Sequence, residues 1–401
     1  MVVSFVSNYI NHHQLPFCEA MKRQIGDGGS FYFIQTMPME EKRRQMGWGV
    51  DEKALSYLVL YYEEPERAQD LIEKSDVVLF GWTGGVIDDI ERKRLSSGKL
   101  AFRVSERIYR EGQYRAISPR GLMSKYREHF VYRSKPVYLL CTGAYVASDF
   151  ALIKSYPGKM LKWGYFPDAS KGAEMGTGGD QDVDSPLRFC WAGRLIDLKH
   201  PEFAVKAASD LKKSGIQFTM DIVGGGPLLE SIRKMAASLN VADSVNITGG
   251  KAPYEVLEYM RRADIFLFTS NYLEGWGAVV NEAMQCSCAV VASNEAGSVP
   301  FLIEDKVNGL VYENGDYSSF GEKVLFLAGH RELITEYKKK AKETIDRKWN
   351  AEVAARELLR FSREFLSGRT PSFAVDGPVS QAQVLKAPGF VRTLQERNHL
   401  E

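Results

Sequence analysis

Glu274 and Glu282 bracket the stretch Gly275-Trp276-Gly277-Ala278-Val279-Val280-Asn281. The apolar run Asp264–Ser270 before it reads as a buried strand, and Ala283-Met284 after it continue a helical pattern. The order is therefore strand, glycine-containing loop, helix. If the helix begins near Gly277, Glu282 lies about two turns in and roughly 12 Å from Glu274, at ~1.5 Å rise per residue. The first turn between them presents unpaired N–H groups and the positive end of the helix dipole. Gly275 and Gly277 leave the backbone open to close approach. A phosphate at that tip, with a hydroxyl acceptor on each side, fits a ligand with hydroxyls at both ends and phosphates between: a nucleotide-sugar. The plain alternative is a strand-to-helix turn with one solvated and one capping glutamate.

Arg194 and Lys199 are the second chemical signal. They share one loop after the strand Leu187–Ala192, and two cations there suit a diphosphate, Arg bidentately and Lys as a point charge. Other loops are weaker candidates. His12 and His13 follow the first strand and could donate to a phosphate or face an acceptor sugar; otherwise one caps a helix and the other is solvated. Gly81-Trp82-Thr83-Gly84-Gly85 is a further loop of this kind. Glu106 follows the strand Leu100–Val104 and could serve as a polar catalytic group; the alternative is a surface salt bridge to Arg107.

The elements that must position these residues follow from patterning. A chain of 401 residues with net charge +1 suits two domains of a soluble globular protein. No apolar run reaches the 18 or more residues of a membrane span, and Met1-Val2-Val3-Ser4-Phe5-Val6 reads as a first strand, not a signal peptide. Five cysteines, mostly in apolar contexts, read as reduced core residues of a cytosolic protein; Cys286-Ser287-Cys288 has no His or further Cys nearby to complete a metal site. In the second half, strands and helices alternate strictly: Leu187–Ala192, Pro201–Lys213, Gln217–Val223, Leu228–Leu239, Ser244–Thr248, Pro253–Arg262, the Asp264 strand and its helix, then Ala289–Ser293. Such alternation means a parallel, doubly wound sheet, with ligand loops at the strands' C-terminal ends. Arg194, Lys199, Gly224-Gly225-Gly226, Gly249 and Glu274 then share one edge.

The expected division is an N-terminal Rossmann-like, acceptor-side domain over 1–170, a linker over 171–186, and a nucleotide-sugar-binding Rossmann-like domain over 187–350. A helix over 351–367 crosses back to the first domain, and 368–401 is an irregular tail. The linker is Gly-, Asp- and Ser-rich, and its Asp180-Gln181-Asp182 reads as solvated. Residues 91–138 carry thirteen Lys/Arg against four Glu, with tyrosines interleaved. This segment can dock an anionic membrane face or be a set of solvated helix faces; no nucleic-acid module accompanies it.

Gly193-Arg194…Lys199, Val223-Gly224-Gly225-Gly226-Pro227, Glu274-Gly275-Trp276-Gly277…Glu282-Ala283-Met284 and Asn308-Gly309-Leu310-Val311 together resemble family 4 glycosyltransferases. The resemblance covers 187 to about 350; the N-terminal half is similar only in layout. It implies GT-B architecture, two Rossmann-like domains facing across a cleft, and retaining, metal-independent hexosyl transfer with no cofactor. By position, Arg194 and Lys199 would hold the donor diphosphate, Glu274 the sugar hydroxyls, and Glu282 the ribose. Trp276 and Gly277 would line sugar and phosphate, and Thr248 and Gly249 would border the base. Gly193, Gly225, Gly275 and Val279 complete the expected donor-binding set. The donor base is UDP by default, with GDP the other choice. The acceptor is a saccharide or lipid-linked saccharide, in bacterial surface polysaccharide synthesis, with the protein cytoplasmic and peripheral at the inner membrane. Two departures from the family stand out: Asn11-His12-His13 replaces a glycine pair, and Ser105-Glu106 stands where many members have a histidine. The competing readings are an epimerase of the same fold and a catalytically silent nucleotide-sugar binder. An NAD-dependent oxidoreductase is a further competing reading, against which stand the glycine run's lack of G-x-G-x-x-G spacing and its place in the second half.

Overall fold

The computed structural model describes residues 1–45, 47–168 and 185–388. Most of the expected linker, including Asp180-Gln181-Asp182, and the tail beyond 388 lie outside the described residues. The chain divides into two compact units, Met1–Pro167 together with the chain from Asn350 onward, and Asp168–Trp349.

The first unit opens with β1 (Val2–Ser7), α1 (Leu15–Gln24), β2 (Ser30–Gln35), α2 (Glu41–Gln45), β3 (Leu58–Leu60), α3 (Pro65–Lys74) and β4 (Val77–Phe80). It continues with α4 (Asp88–Ser96), β5 (Ala101–Ser105), α5 (Pro119–Glu128), β6 (Val137–Thr142), α6 (Val146–Leu152) and β7 (Met160–Trp163). The strands form one seven-stranded sheet in the order β3-β2-β1-β4-β5-β6-β7, every pairing parallel. Strands such as Val77-Val78-Leu79-Phe80 are buried along their whole length because helices cover both sheet faces.

The second unit runs β8 (Leu187–Ala192), α7 (Pro201–Lys213), β9 (Phe218–Val223), α8 (Leu229–Ser238), β10 (Val245–Gly249), α9 (Pro253–Arg262) and β11 (Ile265–Phe268). It ends with α10 (Val279–Gln285), β12 (Ala289–Ser293), α11 (Val299–Leu302), β13 (Leu310–Tyr312), α12 (Tyr317–Ala328) and α13 (Arg331–Arg347). Its sheet is parallel throughout, in the order β10-β9-β8-β11-β12-β13. This is the dinucleotide-fold order, with the winding direction reversing between β8 and β11. Prolines open α3, α7 and α9, where the missing N–H costs nothing.

The last helix, α14 (Ala351–Leu366), belongs to the first unit, where it lies along α1. Arg23 pairs with Glu352, and Arg363 Nη2 donates to the Gln24 carbonyl at 3.2 Å. The tail expected to be irregular is not wholly so. Val379 N donates to Lys162 O at 2.9 Å, Lys162 N to Ser380 O at 2.8 Å, and Ala382 N to Met160 O at 2.9 Å. The edge strand β7 exposes a row of unpaired backbone groups, and this segment satisfies them; no local sequence pattern announces such a partner.

Candidate active site

In the second unit the loops after β8 and β11 flank the point where the sheet reverses, the usual ligand position in such sheets. The first loop is Gly193-Arg194-Leu195-Ile196, followed by a 3₁₀ turn over Asp197–Lys199 and His200 in the left-handed region (φ 46°). Backbone hydrogen bonds hold it to the glycine run after β9. Leu195 N donates to Gly225 O at 2.9 Å, and Leu228 N to Leu195 O at 3.1 Å. A Cβ on Gly224 would sit 1.8 Å from the Gly193 carbonyl oxygen, and one on Gly226 2.4 Å from that of Leu195. The outer two glycines are therefore required by loop-on-loop contact, before any ligand is considered.

The same loop is tied to the end of β11. Trp191 Nε1 donates to Thr269 Oγ1 at 2.8 Å, Thr269 Oγ1 donates to the Lys199 carbonyl at 2.6 Å, and Asn271 N donates to Leu198 O at 2.9 Å. The His200 ring contacts Glu202 Oε1 at 2.8 Å and Asn271 Nδ2 at 3.3 Å. With both backbones fixed, Lys199 Nζ donates to the Glu274 carboxylate, and both side chains are mostly shielded from solvent. Arg194, two residues past the end of β8, is exposed, and its guanidinium has no hydrogen-bond or ion-pair partner among the described residues. The sheet thus brings Arg194, Lys199 and Glu274 onto its two central loops.

The helix after Glu274 starts later than expected, at Val279, so Glu282 lies in its first turn rather than two turns in, and the 12 Å spacing estimate lapses. The reason is Gly277, whose φ of 87° keeps it out of the helix and whose missing Cβ would fall 2.7 Å from the Phe268 ring. Burial pushes the Glu282 carboxyl up to about 7. Trp276 is a second correction. Its side chain is 1% exposed, donates through Nε1 to Asn281 Oδ1 at 2.8 Å, and sits beside Trp349 with ring centres 5.9 Å apart. The indole is core, so only its backbone can line a ligand. Thr248 and Gly249 end β10, with Thr248 Oγ1 on the Gly249 carbonyl at 2.9 Å and Gly249 at φ 77°. Gly225 and Gly250 run beside each other, the Gly225 Cβ position lying 3.4 Å from Gly250 N.

In the first unit, His12 and His13 follow β1 at that sheet's own reversal point. Their rings lie 3.8 Å apart, with Trp48 at 5.4 Å from His12 and Tyr165 at 6.1 Å from His13. Desolvation lowers the pKa of both, that of His13 to about 3 with the neighbouring His12 adding to the effect. Both are therefore neutral near pH 7, so neither brings a cation to a phosphate. Each Nδ1 is buried without a hydrogen-bond partner. Tyr165 Oη donates to Glu106 Oε1 at 3.1 Å, and Arg110 pairs with the same carboxylate. The alternative Glu106–Arg107 bridge does not form: Arg107 turns instead to the fully buried Asp149 at 3.2 Å, and Arg110, in the turn that follows, pairs with Glu106. Sequence reading missed Thr269, Asn271, His200, Trp48 and Tyr165. The first two stand beside the strand end already singled out; Trp48 and Tyr165 come from irregular stretches with no periodic signal.

Two parallel α/β units of this kind in one chain define the GT-B architecture. Anabaena HepE, solved in complex with UDP, matches 92% of this chain and all of its own length with a TM-score of 0.63 at 14% identity, a likeness of fold. Residues 182–344 match the family model for glycosyl transferases group 1. The amylovoran biosynthesis glycosyltransferase AmsK of Erwinia amylovora is 30% identical over 181 residues, 44% of either chain. A GDP-mannose-dependent α-(1-6)-phosphatidylinositol monomannoside mannosyltransferase of Mycobacterium tuberculosis is 29% identical over 186 residues, 45% of this chain and 48% of its own. The match thus spans less than half the length of these curated relatives.

Proposed function

We propose that this protein is a retaining glycosyltransferase that moves a hexosyl group from a nucleoside-diphosphate sugar to a saccharide or lipid-linked saccharide. The observation that carries the proposal is the placement of Arg194, Lys199 and Glu274 on the two loops at the β8/β11 reversal, inside the segment matching the glycosyl transferase model. In this reading, cleavage of the anomeric C–O bond passes through an oxocarbenium-like transition state. Negative charge grows on the departing diphosphate, and Arg194 and Lys199 stabilise it electrostatically. They supply the positive charge a metal would otherwise bring. Glu274 accepts from the donor sugar hydroxyls and Glu282 from the ribose. The acceptor hydroxyl attacks from the leaving group's own face, and the departing phosphate takes its proton, so no pair of catalytic carboxylates is needed.

The donor is a UDP-sugar in this proposal, a GDP-sugar being the other choice; HepE binds UDP, while the mycobacterial relative is named for GDP-mannose. Surface polysaccharide assembly at the cytoplasmic membrane face is the proposed setting; the name of the Erwinia relative supports its polysaccharide-biosynthesis part alone. The first unit would hold the acceptor, with Glu106, His12 and His13 as its polar groups.

The test is incubation with a panel of UDP- and GDP-sugars, following released nucleoside diphosphate with and without lipid-linked acceptors. Acceptor-dependent release with retained anomeric configuration is expected. Free sugar or epimer without acceptor means an epimerase, and binding without release means a silent binder; either result overturns the proposal.

A further inference from the structure

The basic excess over residues 91–138 is mostly neutralised in the fold. Arg92, Lys93 and Arg103 pair with Asp89, Glu73 and Glu91. Arg107, Arg110, Arg115 and Lys125 pair with Asp149, Glu106, Glu111 and Glu128. Arg94 and Lys99 donate to backbone carbonyls. Arg120, Arg127, Arg133 and Lys135 remain, with no acidic partner among the described residues. All four lie on or just after α5.

That helix is unusual in a second way: none of its residues is buried. Around a helical wheel, at ~100° per residue, Leu122, Tyr126 and Met123 form one arc, and Arg127 and Arg120 lie side by side along its margin. Gly121 and Lys125, the less exposed positions, mark the protein-facing side. Leu122, Met123 and Tyr126 are 41%, 53% and 50% exposed, and Ile117 just ahead of the helix is 81% exposed. A surface helix ordinarily turns its apolar stripe to the core. Here the stripe points to solvent and is bordered by unneutralised arginines. The Tyr126 ring stacks on Phe130 at 4.9 Å, and the Arg133 guanidinium lies over Phe130 at 4.9 Å, extending the same surface.

We propose that α5, with Ile117 before it and Arg133 after it, is a docking element for an anionic lipid surface. Side chains of this kind immerse their apolar parts at the headgroup boundary while guanidinium groups meet lipid phosphates. Ten residues rise about 15 Å, half a bilayer core, so the helix lies in the interface and does not cross it. Among the described residues no helix is long and apolar enough to span. A protein partner would have to supply acids for three separate cations, Arg120, Arg127 and Arg133, around one apolar stripe, whereas an anionic membrane presents that combination everywhere. The inference narrows the expected 91–138 segment to about 115–135 and stands independently of the reaction catalysed.

The test is co-sedimentation of the full chain with phosphatidylcholine vesicles, with and without phosphatidylglycerol. The wild type is expected to sediment only with the anionic vesicles, and less so as salt is raised. Arg120→Ser with Arg127→Ser should weaken partitioning about 30-fold, from ~1 kcal/mol per basic residue. Ile117→Ser with Met123→Ser should weaken it about tenfold or more through the lost apolar contact. Lys234→Ser on α8, an exposed cation of the other unit, should leave it unchanged. All these side chains are exposed, so folding, checked by far-UV circular dichroism, should not change. Wild-type protein that ignores anionic vesicles, or loses them equally through Lys234→Ser, overturns the inference. Acceptor-dependent nucleotide-sugar turnover, measured in parallel without vesicles, reads the proposed reaction separately.

Discussion

Lys199 and Glu274 form an ion pair between the loops on either side of the sheet reversal, with side chains only 14% and 17% exposed. Each is the other's main polar partner, and Thr269 fixes the lysine carbonyl beneath it. A cation held this way needs little reorganisation when negative charge develops nearby, the condition under which electrostatic stabilisation is strongest. Lys199→Ala and Glu274→Ala should each lower kcat about 10²-fold or more. Because the two act as one unit, the double variant should lose far less than the product of the single losses. Additive losses in kcat would mean the pair is not a functional unit.

Arg194 and Gly226 are close in the same loop cluster but should behave oppositely. Arg194→Ala removes an exposed, unpartnered side chain, so the unfolding free energy should stay within about ±0.5 kcal/mol of wild type while turnover falls about 10²-fold. Gly226→Ala forces a Cβ onto the Leu195 carbonyl at a φ of 154°, and should destabilise the second unit by about 2–4 kcal/mol. Denaturant titration followed by a donor-binding assay distinguishes the two effects.

Trp276→Ala is expected to act through stability. It leaves a void beside Trp349 and orphans Asn281, at about 3–5 kcal/mol. Trp276→Phe, which keeps most of the volume, should retain donor affinity near wild type. A large loss of affinity in that variant, with stability unchanged, would return the indole to the ligand.

Glu282 gives a pH signature. Its folded pKa is raised by burial from the ordinary range to about 7, so the folded state holds the proton more tightly than the unfolded chain between pH 4.5 and 7. Stability from this group is therefore present at low pH and lost as pH rises through 7. Glu282→Gln should exceed wild type in unfolding free energy at pH 8, by about 1–2 kcal/mol after discounting for part exposure, and match it near pH 4.5. Equal differences at both pH values would contradict the assignment.

Much of the fold was written in one-dimensional signals. The strand Leu187–Ala192, the helices Pro201–Lys213 and Pro253–Arg262 and the final helix Ala351–Leu366 are read from apolar periodicity and proline position, and they form over those residues. Local sterics and burial patterns act over a few residues, so a sequence reader sees them. Strict βα alternation likewise dictates a parallel sheet, and with it the edge on which Arg194, Lys199 and Glu274 must lie.

What the sequence by itself could not decide depends on partners far along the chain. Glu106 chose Arg110 and Tyr165 over Arg107 because the buried Asp149 claimed the latter. The indole of Trp276 went inward because Trp349 and Asn281 lay there to receive it. Thirteen cations in one segment looked alike until ion pairs and carbonyl contacts left four without an acidic partner among the described residues, two on α5 and two after it. Each outcome is a competition between alternative contacts of similar energy, and only the tertiary structure brings the competitors within reach.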